Sequence, residues 1–533
     1  MTVLHPTDRD TSRTIASEDL RILMQTGVEA AVLDVREQRW SDAGHILGST
    51  NVPRRALEWH MKRLVPLRST PVILYDDDLS IAPRAADDLR AVGYDDVRVL
   101  HGGLAAWSDT GLAVDRGHSV PSKHFGELVQ HADRVPSVSP QELHSWLAEG
   151  RKVVLCDVRT AEEHARETLP GSVNVPGFEL PIRLEDPEDD ATVVVHCSGR
   201  TRSIIGTATL QRSGIRNAVG LENGTMGWLL AGYDVEHGAC RDGTATVPVS
   251  GDGDTLRRRW RAEAESVGVR YLAPRDADRV LQASRQLGST AYLFDVRTHA
   301  EHLEAHAAGA QWAPGGQLVQ LTDTYVAVQG AVIVLMCDGS ARSSIAAYWL
   351  RRMGFGAVLV VAGGVHRWQD EGLPTESGEH PEVLGLATAQ RSVKPVSAEA
   401  LGEALRSPSS PPVVHVDTSA GYERGHVPGA SWVSPTRLEA RLEEIGAARS
   451  TPTVLTCRDG VLSRITAWKA QRAGWRDVAV LDGGLDVWER DGRPVDRTPV
   501  PDHTDPDDRF IHPVYRGPEA MRDYLDWEVA LGG

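Results

Sequence analysis

A tryptophan recurs four times along the chain, each time 31 residues after one particular position. The pairs are Asp76 and Trp107, Cys197 and Trp228, Cys337 and Trp368, and Cys457 and Trp488. A fixed interval of this kind indicates an internal repeat, in which each copy builds the same core. Successive tryptophans lie 121, 140 and 120 residues apart, which suits one small domain per repeat. The sequence therefore predicts four tandem domains.

Short apolar runs predict the elements inside each repeat. In repeat two, VVLCDVR (153–159) and TVVVH (192–196) have the length and β-branched content of buried strands, and the segment after Cys197 has a helical pattern that ends at Gly214. AVLDVR (31–36), AYLFDVR (291–297) and VVHVDTS (413–419) open the other repeats. Strands that alternate with helices require crossover connections. We therefore predict an α/β fold, in which each domain is a parallel sheet flanked by helices on both faces.

Composition excludes several classes of function. The formal net charge of −17 argues against a nucleic-acid partner, because such proteins concentrate basic residues against phosphates. No apolar run approaches the ~18 residues of a membrane span, and the first residues lack a signal-peptide core. We therefore predict no membrane partner and a cytoplasmic location. Five cysteines without a Cys-x-x-Cys pair indicate reduced thiols.

The chemistry of repeats two and three lies in a loop that matches Cys-x-Gly-x-x-Arg-Ser in both. The candidate residues are Cys197, Gly199, Arg200, Arg202 and Ser203 in repeat two, and Cys337, Gly339, Arg342 and Ser343 in repeat three. A cysteine between a strand end and a helix N-terminus is surrounded by backbone N–H groups and the positive end of the helix dipole. We expect this setting to lower the thiol pKa and supply a nucleophilic thiolate. Cys156 and Cys240 lie outside the repeated position, and we assign them to packing and linker.

With these motifs, all four repeats resemble rhodanese domains, a sulfurtransferase family, over residues 15 to 497. The resemblance is carried by the Asp-Val-Arg strand end, the element GHVPGA (425–430), the Cys loop and the Gly-Gly-x-x-x-Trp turn. We predict rhodanese-like domains at 1–118, 136–238, 268–376 and 395–498, followed by a tail at 499–533.

The resemblance implies a mechanism. The cysteine attacks the outer sulfur of a small anionic donor such as thiosulfate, carries that sulfur as a persulfide, and passes it to cyanide, a thiol or a sulfur-carrier protein. No cofactor beyond the persulfide is implied. The implied nucleophiles are Cys197, Cys337 and Cys457.

The arginines of the loops have two possible roles by this resemblance. Arg202 and Arg342 either contact the anionic donor or form a salt bridge across the loop mouth. Arg159 and Arg297 either line the pocket or pair with the aspartates Asp157 and Asp295. In repeat four the arginine follows the cysteine directly, as Arg458, and Asp417-Thr418-Ser419 is expected to replace Asp-Val-Arg, so its anion contacts are expected to differ.

Repeat one has Asp76 at the cysteine position, and a carboxylate cannot form a persulfide. It resembles the inactive N-terminal half of two-domain rhodaneses, which predicts that it caps repeat two beside Cys197. The longer connection between repeats two and three predicts two pairs, one with two and three with four. Residues 517–531 are predicted to form an amphipathic helix that packs on repeat four.

Three alternatives to sulfur transfer are weighed against the sequence. A phosphatase or arsenate reductase would have its arginine six residues after the cysteine, whereas Arg202 and Arg342 stand at five. A metal site is suggested by His299, His302 and His306, but His306 coincides with a repeated Gly-His position, so we predict no metal. Finally, the repeats could form a non-catalytic scaffold or regulatory module.

Overall fold

The computed structural model describes residues 13–184, 191–242, 253–444, 449–500 and 506–533. Within these residues each repeat contributes one five-stranded parallel sheet, and the strands lie in the order 1-5-4-2-3 when counted along that repeat. Helices connect the strands by crossovers. The predicted α/β fold class is therefore confirmed.

The strands have nearly identical lengths from one repeat to the next. In order, they are Thr14–Ile15, Ala31–Asp34, Thr50–Asn51, Val72–Tyr75 and Val97–Leu100 in repeat one; Ser137–Val138, Val153–Asp157, Val173–Asn174, Thr192–His196 and Ala218–Leu221 in repeat two; Arg270–Leu272, Ala291–Asp295, Gln311–Trp312, Val332–Met336 and Val358–Val361 in repeat three; and Lys394–Val396, Val413–His415, Ser431–Trp432, Thr453–Thr456 and Val478–Leu481 in repeat four. A separate antiparallel ribbon pairs His306–Ala307 with Thr375–Glu376.

The α-helices occur at similar places in the four repeats. They are Ser17–Gln25, Gln38–Ala43, Leu57–Leu64, Ala82–Ala91 and Gly103–Asp109 in repeat one; Pro140–Ala148, Ala161–Arg166, Leu180–Arg183, Thr201–Ser213 and Gly224–Leu230 in repeat two; Pro274–Leu287, His299–Glu304, Gly315–Gln320, Thr322–Tyr325, Arg342–Arg352 and Gly364–Asp370 in repeat three; Ala398–Ala404, Ser419–Arg424, Leu438–Glu444, Val461–Arg472 and Gly484–Arg490 in repeat four; and Val120–Ala132, Gly253–Ser266, Leu386–Ser392 and Pro518–Ala530 in the connections and tail.

The 31-residue interval has a structural cause. A glycine 27 residues after each special position has a left-handed backbone, with φ between +53° and +64°, and a Cβ there would lie 2.1–2.6 Å from the carbonyl oxygen of the special residue. The next backbone N–H donates a hydrogen bond to that carbonyl over 2.8–2.9 Å in every repeat. Only glycine permits this close approach. The Gly turn therefore holds the Cys-bearing loop in place.

The four tryptophans complete the same arrangement. Each is at most 5% exposed, and each indole N–H donates to a backbone carbonyl six residues further on over 2.8–2.9 Å. Burial of the ring supplies apolar area while its one polar atom finds a partner. The repeated Trp is a core anchor, as its position predicts.

The chain divides into two compact units that do not follow chain order. One consists of residues 1–117, 327–329 and 381–510, and the other of residues 118–326, 330–380 and 511–533. Repeat one therefore packs with repeat four, and repeat two packs with repeat three. The predicted pairing of one with two and three with four is wrong.

Repeats two and three are joined through the helices that follow their cysteines. The Trp349 indole N–H donates to the Thr209 hydroxyl over 2.9 Å, and both residues are buried. The bridging helix Gly253–Ser266 adds Trp260, which is fully buried, bonds Ser213 over 2.9 Å and meets the Tyr348 ring edge-on. The long connection thus fastens these two repeats together instead of separating two pairs.

Repeats one and four are joined by buried ion pairs. Arg54 contacts Asp88 of repeat one and donates two hydrogen bonds, of 2.6 and 2.8 Å, to Glu439 of repeat four. Lys469 donates to the buried carboxylate of Glu58 over 2.8 Å. Burial of these charges is tolerated because each finds an opposite charge.

The C-terminal helix exists as predicted but packs on repeat two, so the predicted contact with repeat four is wrong. Its Met521 and Leu525 join Met226 of repeat two and Val514 in one buried apolar cluster. Among the described helices, none is long and apolar enough to cross a membrane.

Candidate active site

The three repeated cysteines occupy the ends of central strands. Cys197, Cys337 and Cys457 each follow the fourth strand of their sheet directly, and each is at most 2% exposed. This edge of a parallel sheet, where strand ends face helix N-termini, is the usual place for a site in an open α/β fold.

Cys337 has the most complete set of hydrogen-bond donors. The Gly339 N–H donates to its Sγ over 3.4 Å, and the Ser343 hydroxyl lies 3.1 Å from the same atom. The Ser340 hydroxyl lies 3.9 Å away. These groups surround the sulfur from within the loop, and they suit an anionic sulfur.

The other two thiols share the serine six residues further on. The Cys197 Sγ lies 3.7 Å from the Ser203 hydroxyl, and the Cys457 Sγ lies 3.4 Å from that of Ser463. The Ser463 N–H also donates to the Cys457 sulfur over 3.2 Å. The sequence motif thus brings a Cys–Ser contact into all three loops.

The expected lowering of the thiol pKa toward neutrality is wrong for two of the three cysteines. Burial raises the pKa of the Cys457 thiol to about 11, against the opposing hydrogen bonds from Ser463. Burial, with the nearby Asp338 carboxylate, also raises the pKa of Cys337, although Arg342 and Ser343 act in the other direction. Desolvation of the thiolate therefore outweighs the N–H groups of the loop.

Arg342 is committed to carboxylates. It donates two hydrogen bonds of 2.7 Å to Glu301 and one of 2.7 Å to Glu179, and it lies 3.0 Å from Asp338. Burial opposes its charge, yet these three carboxylates raise the pKa of the guanidinium. Of the two roles inferred from sequence, the salt bridge is the one this structure contains.

Arg202 makes the corresponding pair in repeat two. It donates to both oxygens of Glu163 over 2.7 and 2.8 Å, and although burial opposes the charged carboxylate, Arg202 lowers the pKa of Glu163 to about 2. The neighbouring Arg200 donates in the same bidentate manner to Glu127 of the helix Val120–Ala132, over 2.6 and 2.8 Å. Both loop arginines are therefore paired.

The arginines of the Asp-Val-Arg element pair with the aspartate two residues before them. Arg159 donates to Asp157 over 2.9 and 2.7 Å, and Arg297 donates to Asp295 over the same distances. Arg159 also reaches the loop, where the Ser198 hydroxyl lies 3.4 Å away. These ion pairs fix the end of the second strand next to the Cys loop.

Repeat four departs further from the pattern than its sequence suggests. Strand pairing places His415 opposite Thr456, as Asp157 stands opposite His196, so the residues that replace Asp-Val-Arg are His415-Val416-Asp417. The expected replacement by Asp417-Thr418-Ser419 is shifted by two residues and is wrong. Arg458 is half-exposed and contacts Asp486 and Glu489 over 2.5 and 2.8 Å.

In repeat one, the backbone N–H groups of the loop bind the side chain of Asp76. Its carboxylate accepts hydrogen bonds from the backbone N–H groups of Leu79, Ile81 and Ala82, over 2.9, 2.5 and 3.3 Å. The carboxylate therefore stands in the anion cradle of its own loop, at the position where the other repeats place sulfur.

A cavity of about 960 Å³ lies beside Cys197. Its walls come from repeats two and three, the helix Val120–Ala132 and the C-terminal segment, which contributes His512, Tyr524 and Glu528. The prediction that side chains of repeat one cap the site beside Cys197 is wrong, because repeat three, the helix Val120–Ala132 and the C-terminal segment supply these walls instead. Burial lowers the pKa of His512 to about 4, and nearby Lys123 and Arg202 contribute, so its ring is neutral at pH 7.

The C-terminal residues of this site were missed from the sequence because no local motif marks them. Glu528 lies 327 positions after Thr201, yet its Oε1 accepts hydrogen bonds from the Thr201 N–H and hydroxyl over 3.3 and 2.7 Å. The only signal is the hydroxyl of Thr201 itself, since Ala341 and Val461 occupy that place in repeats three and four.

The histidines considered for a metal have other partners. His302 contacts Asp295 over 3.0 Å, the His306 ring bonds the His302 carbonyl over 2.7 Å, and His299 contacts Glu379 over 2.9 Å. Among the described residues, no three His, Cys, Asp or Glu side chains are grouped so as to bind a metal ion.

A family model and a solved structure each match most of this chain. The family model of the rhodanese-like domain matches residues 17–110, 139–231, 276–371 and 397–491. A crystal structure of thiosulfate sulfurtransferase from Pseudomonas aeruginosa is 34% identical, covers 98% of this chain and 97% of that one, and has a TM-score of 0.87.

Two shorter matches concern single repeats. A sulfurtransferase of Allochromatium vinosum is 29% identical over 101 residues, which are 19% of this chain and 94% of that protein. A tRNA uridine(34) hydroxylase of Xanthomonas euvesicatoria is 37% identical over 106 residues, or 18% of this chain. The chain spans only 43% of the length of that hydroxylase.

Proposed function

This chain belongs to the rhodanese-like domain family, and on that premise we propose that it moves sulfane sulfur from an anionic donor to a thiol or cyanide acceptor through cysteine persulfides. The resemblance seen in the sequence is confirmed by the family match over all four repeats. The observation that carries the proposal is the loop of Cys337, in which the Gly339 N–H and the Ser343 hydroxyl are directed at Sγ.

The proposed reaction consists of two nucleophilic displacements at sulfur. The Cys337 thiolate attacks the outer sulfur of thiosulfate, a new S–S bond forms, the S–S bond of the donor breaks, and sulfite leaves with the electron pair. An acceptor thiolate then attacks the outer sulfur of the persulfide and releases the cysteine thiolate. The Gly339 N–H and the Ser343 hydroxyl stabilise the anionic sulfur at each stage, as oxyanion-type donors do.

Repeat one supports the same interpretation of the loop. Its Asp76 carboxylate accepts three backbone hydrogen bonds, which indicates that this loop geometry is suited to an anion. We assign repeat one a supporting role, because a carboxylate cannot carry a persulfide. Repeats two and three carry the proposed reaction, and Cys457 is a third candidate.

The test is the site of sulfur gain. The full chain is incubated with thiosulfate and, separately, with glutathione persulfide, and mass spectrometry identifies which cysteine peptides gain one sulfur. We expect a gain at Cys337 that is lost in Cys337→Ser. Cys156→Ser is the matched control, because Cys156 is buried in the core of repeat two and its pKa is raised to about 12 by burial. Absence of sulfur on both Cys197 and Cys337 with either donor would refute the proposal.

A further inference from the structure

The cavity beside Cys197 is far larger than a small inorganic donor. Its volume of about 960 Å³ lies at the upper end of the roughly 300–1,000 Å³ typical of pockets for organic ligands, whereas thiosulfate has five heavy atoms. Apolar and aromatic side chains form much of the wall, among them Phe178, Trp312, Leu321, Tyr325 and Tyr524. These dimensions and this lining fit an organic molecule with an apolar body.

A buried carboxylate lies at the start of the helix that follows Cys197. The Glu528 side chain is 1% exposed, and its Oε1 is held by the N–H and hydroxyl of Thr201, at the start of the helix that follows Cys197. Its Oε2 lies 3.1 Å from where a Cβ on Gly199 would be. The positive end of this helix is thus already neutralised by the protein's own carboxylate.

Tyr524 of the same helix lines the cavity together with Cys197. Burial raises the pKa of Tyr524 well above its usual range, and the nearby Glu528 carboxylate and Cys197 sulfur act in the same direction, while Arg202 acts in the opposite direction. A second anion entering this group would meet the carboxylate in surroundings of low dielectric, where repulsion is strong.

This carboxylate is particular to repeat two. The residue four positions after the cysteine is Thr201 there, but Ala341 in repeat three and Val461 in repeat four, and neither of those has a hydroxyl to hold a carboxylate. Cys337 has Asp338 nearby but no carboxylate bound at the start of the following helix, so it serves as an internal reference that a change at Glu528 leaves unaltered.

We propose that Cys197 exchanges sulfur with an organic sulfur compound that has an apolar body and no anionic group beside the reacting sulfur, and that Glu528 of the C-terminal helix imposes this selectivity. The proposal rests on the sulfur-transfer function for its biological meaning. In the exchange, the neutral thiol of that compound attacks the outer sulfur of the Cys197 persulfide, and the S–S bond to Cys197 breaks as the new S–S bond forms. The proton of that thiol passes to the Cys197 sulfur, which leaves with the electron pair, and the reverse reaction with an organic persulfide loads Cys197.

The selectivity is measured by alkylation, which does not depend on sulfur transfer. The full chain is treated with N-benzyl iodoacetamide, which is neutral and aromatic, or with iodoacetate, which is anionic, and each cysteine is followed by mass spectrometry. In both cases the thiolate forms an S–C bond and iodide leaves with the electron pair. We expect the benzyl-to-acetate rate ratio to be roughly tenfold higher at Cys197 than at Cys337.

Two variants sharpen the result. Glu528→Gln keeps the size and an acceptor for Thr201 but removes the charge, and we expect it to reduce the ratio at Cys197 to the level of Cys337, whose own ratio stays unchanged. Glu519→Gln, at an exposed position in the first turn of the same helix, is the control and is expected to change neither ratio.

Each other outcome overturns the proposal. Equal benzyl-to-acetate rate ratios at Cys197 and Cys337 in the unaltered chain would show that Cys197 has no such selectivity. An unchanged ratio at Cys197 in Glu528→Gln would show that Glu528 does not cause it. Failure of the benzyl reagent to modify Cys197 at all would show that the cavity does not admit an apolar molecule to the thiol. A failure of sulfur transfer itself appears separately, as absence of persulfide at every cysteine.

Discussion

The Arg342 guanidinium of repeat three donates a hydrogen bond to the Glu179 carboxylate of repeat two, with 2.7 Å between Nη1 and Oε1. The same guanidinium holds Glu301 and Asp338 within its own repeat. An arginine that the Cys loop motif would assign to the substrate therefore also joins two domains. Its charge braces the loop of Cys337, and the site and the domain pairing depend on one side chain.

Arg342→Ala is expected to lower the free energy of unfolding by about 3 kcal/mol, because it leaves the buried carboxylate of Glu179 and its neighbours without a partner. Urea unfolding followed by tryptophan fluorescence measures the change. Arg279→Ala is the control, since Arg279 is exposed and pairs with Asp276 on the surface of a helix, where such pairs contribute little. Equal effects of the two variants would contradict the assigned role of Arg342.

The fold could be predicted because the signals that determine it are local and repeated. A short apolar strand, a glycine at a fixed distance after it and a tryptophan four residues later appear in every repeat. The strand ends just before the special position, the glycine lets the next N–H bond the carbonyl of that position, and the tryptophan packs in the core. The pairing of repeats could not be predicted in the same way. It depends on faces such as that of Trp349 and Thr209, whose composition does not differ from ordinary core.

The site was only partly predictable for a related reason. The cysteines and serines share one short loop, so their contact follows from the motif, but the partners of the arginines come from the capping boxes Thr160–Glu163 and Thr298–Glu301 on other helices. A signal for those partners exists within the chain. Where Gly421 replaces the glutamate in repeat four, Leu462 replaces the arginine, so both members of the pair are lost together.

The contact between Trp349 and Thr209 predicts a coupling between repeats two and three. Thr209→Val leaves the buried indole N–H without an acceptor, and we expect it to cost about 1–3 kcal/mol in unfolding free energy. In a Trp349→Phe background the donor is absent, so the same substitution is expected to cost much less. A double-mutant cycle from urea unfolding measures the difference, and strict additivity would argue against the contact.

Docking of the C-terminal helix depends on its apolar face. Leu525→Ala removes a buried side chain from the cluster with Met226 and Val514, at an expected cost of about 2–3 kcal/mol to the docked helix. We expect faster cleavage of the tail in limited proteolysis and faster reaction of Cys197 with iodoacetate. Val529→Ala, at a position 49% exposed on the same helix, serves as the control and is expected to behave like the unaltered chain. Unchanged proteolysis in Leu525→Ala would contradict this account.

The raised pKa of Cys457 predicts a steep pH dependence at that thiol. Burial raises its pKa to about 11, so the thiolate fraction grows about tenfold for each pH unit below that value. Alkylation of Cys457 by iodoacetamide, followed by mass spectrometry from pH 7 to pH 10, is expected to accelerate in that proportion. A plateau near pH 8 would contradict a raised pKa.

The same shift predicts how Cys457 affects stability. Its folded pKa lies above the unfolded value of about 8.5, so its contribution is complete below pH 8.5 and is lost as the pH rises through about 11. Cys457→Ser has no such thiol, so the unfolding free energy of the unaltered chain is expected to fall relative to this variant between pH 8 and pH 10. Urea unfolding of both proteins at each pH measures this difference, and parallel curves would show that the pKa of Cys457 is the same in the folded and unfolded states.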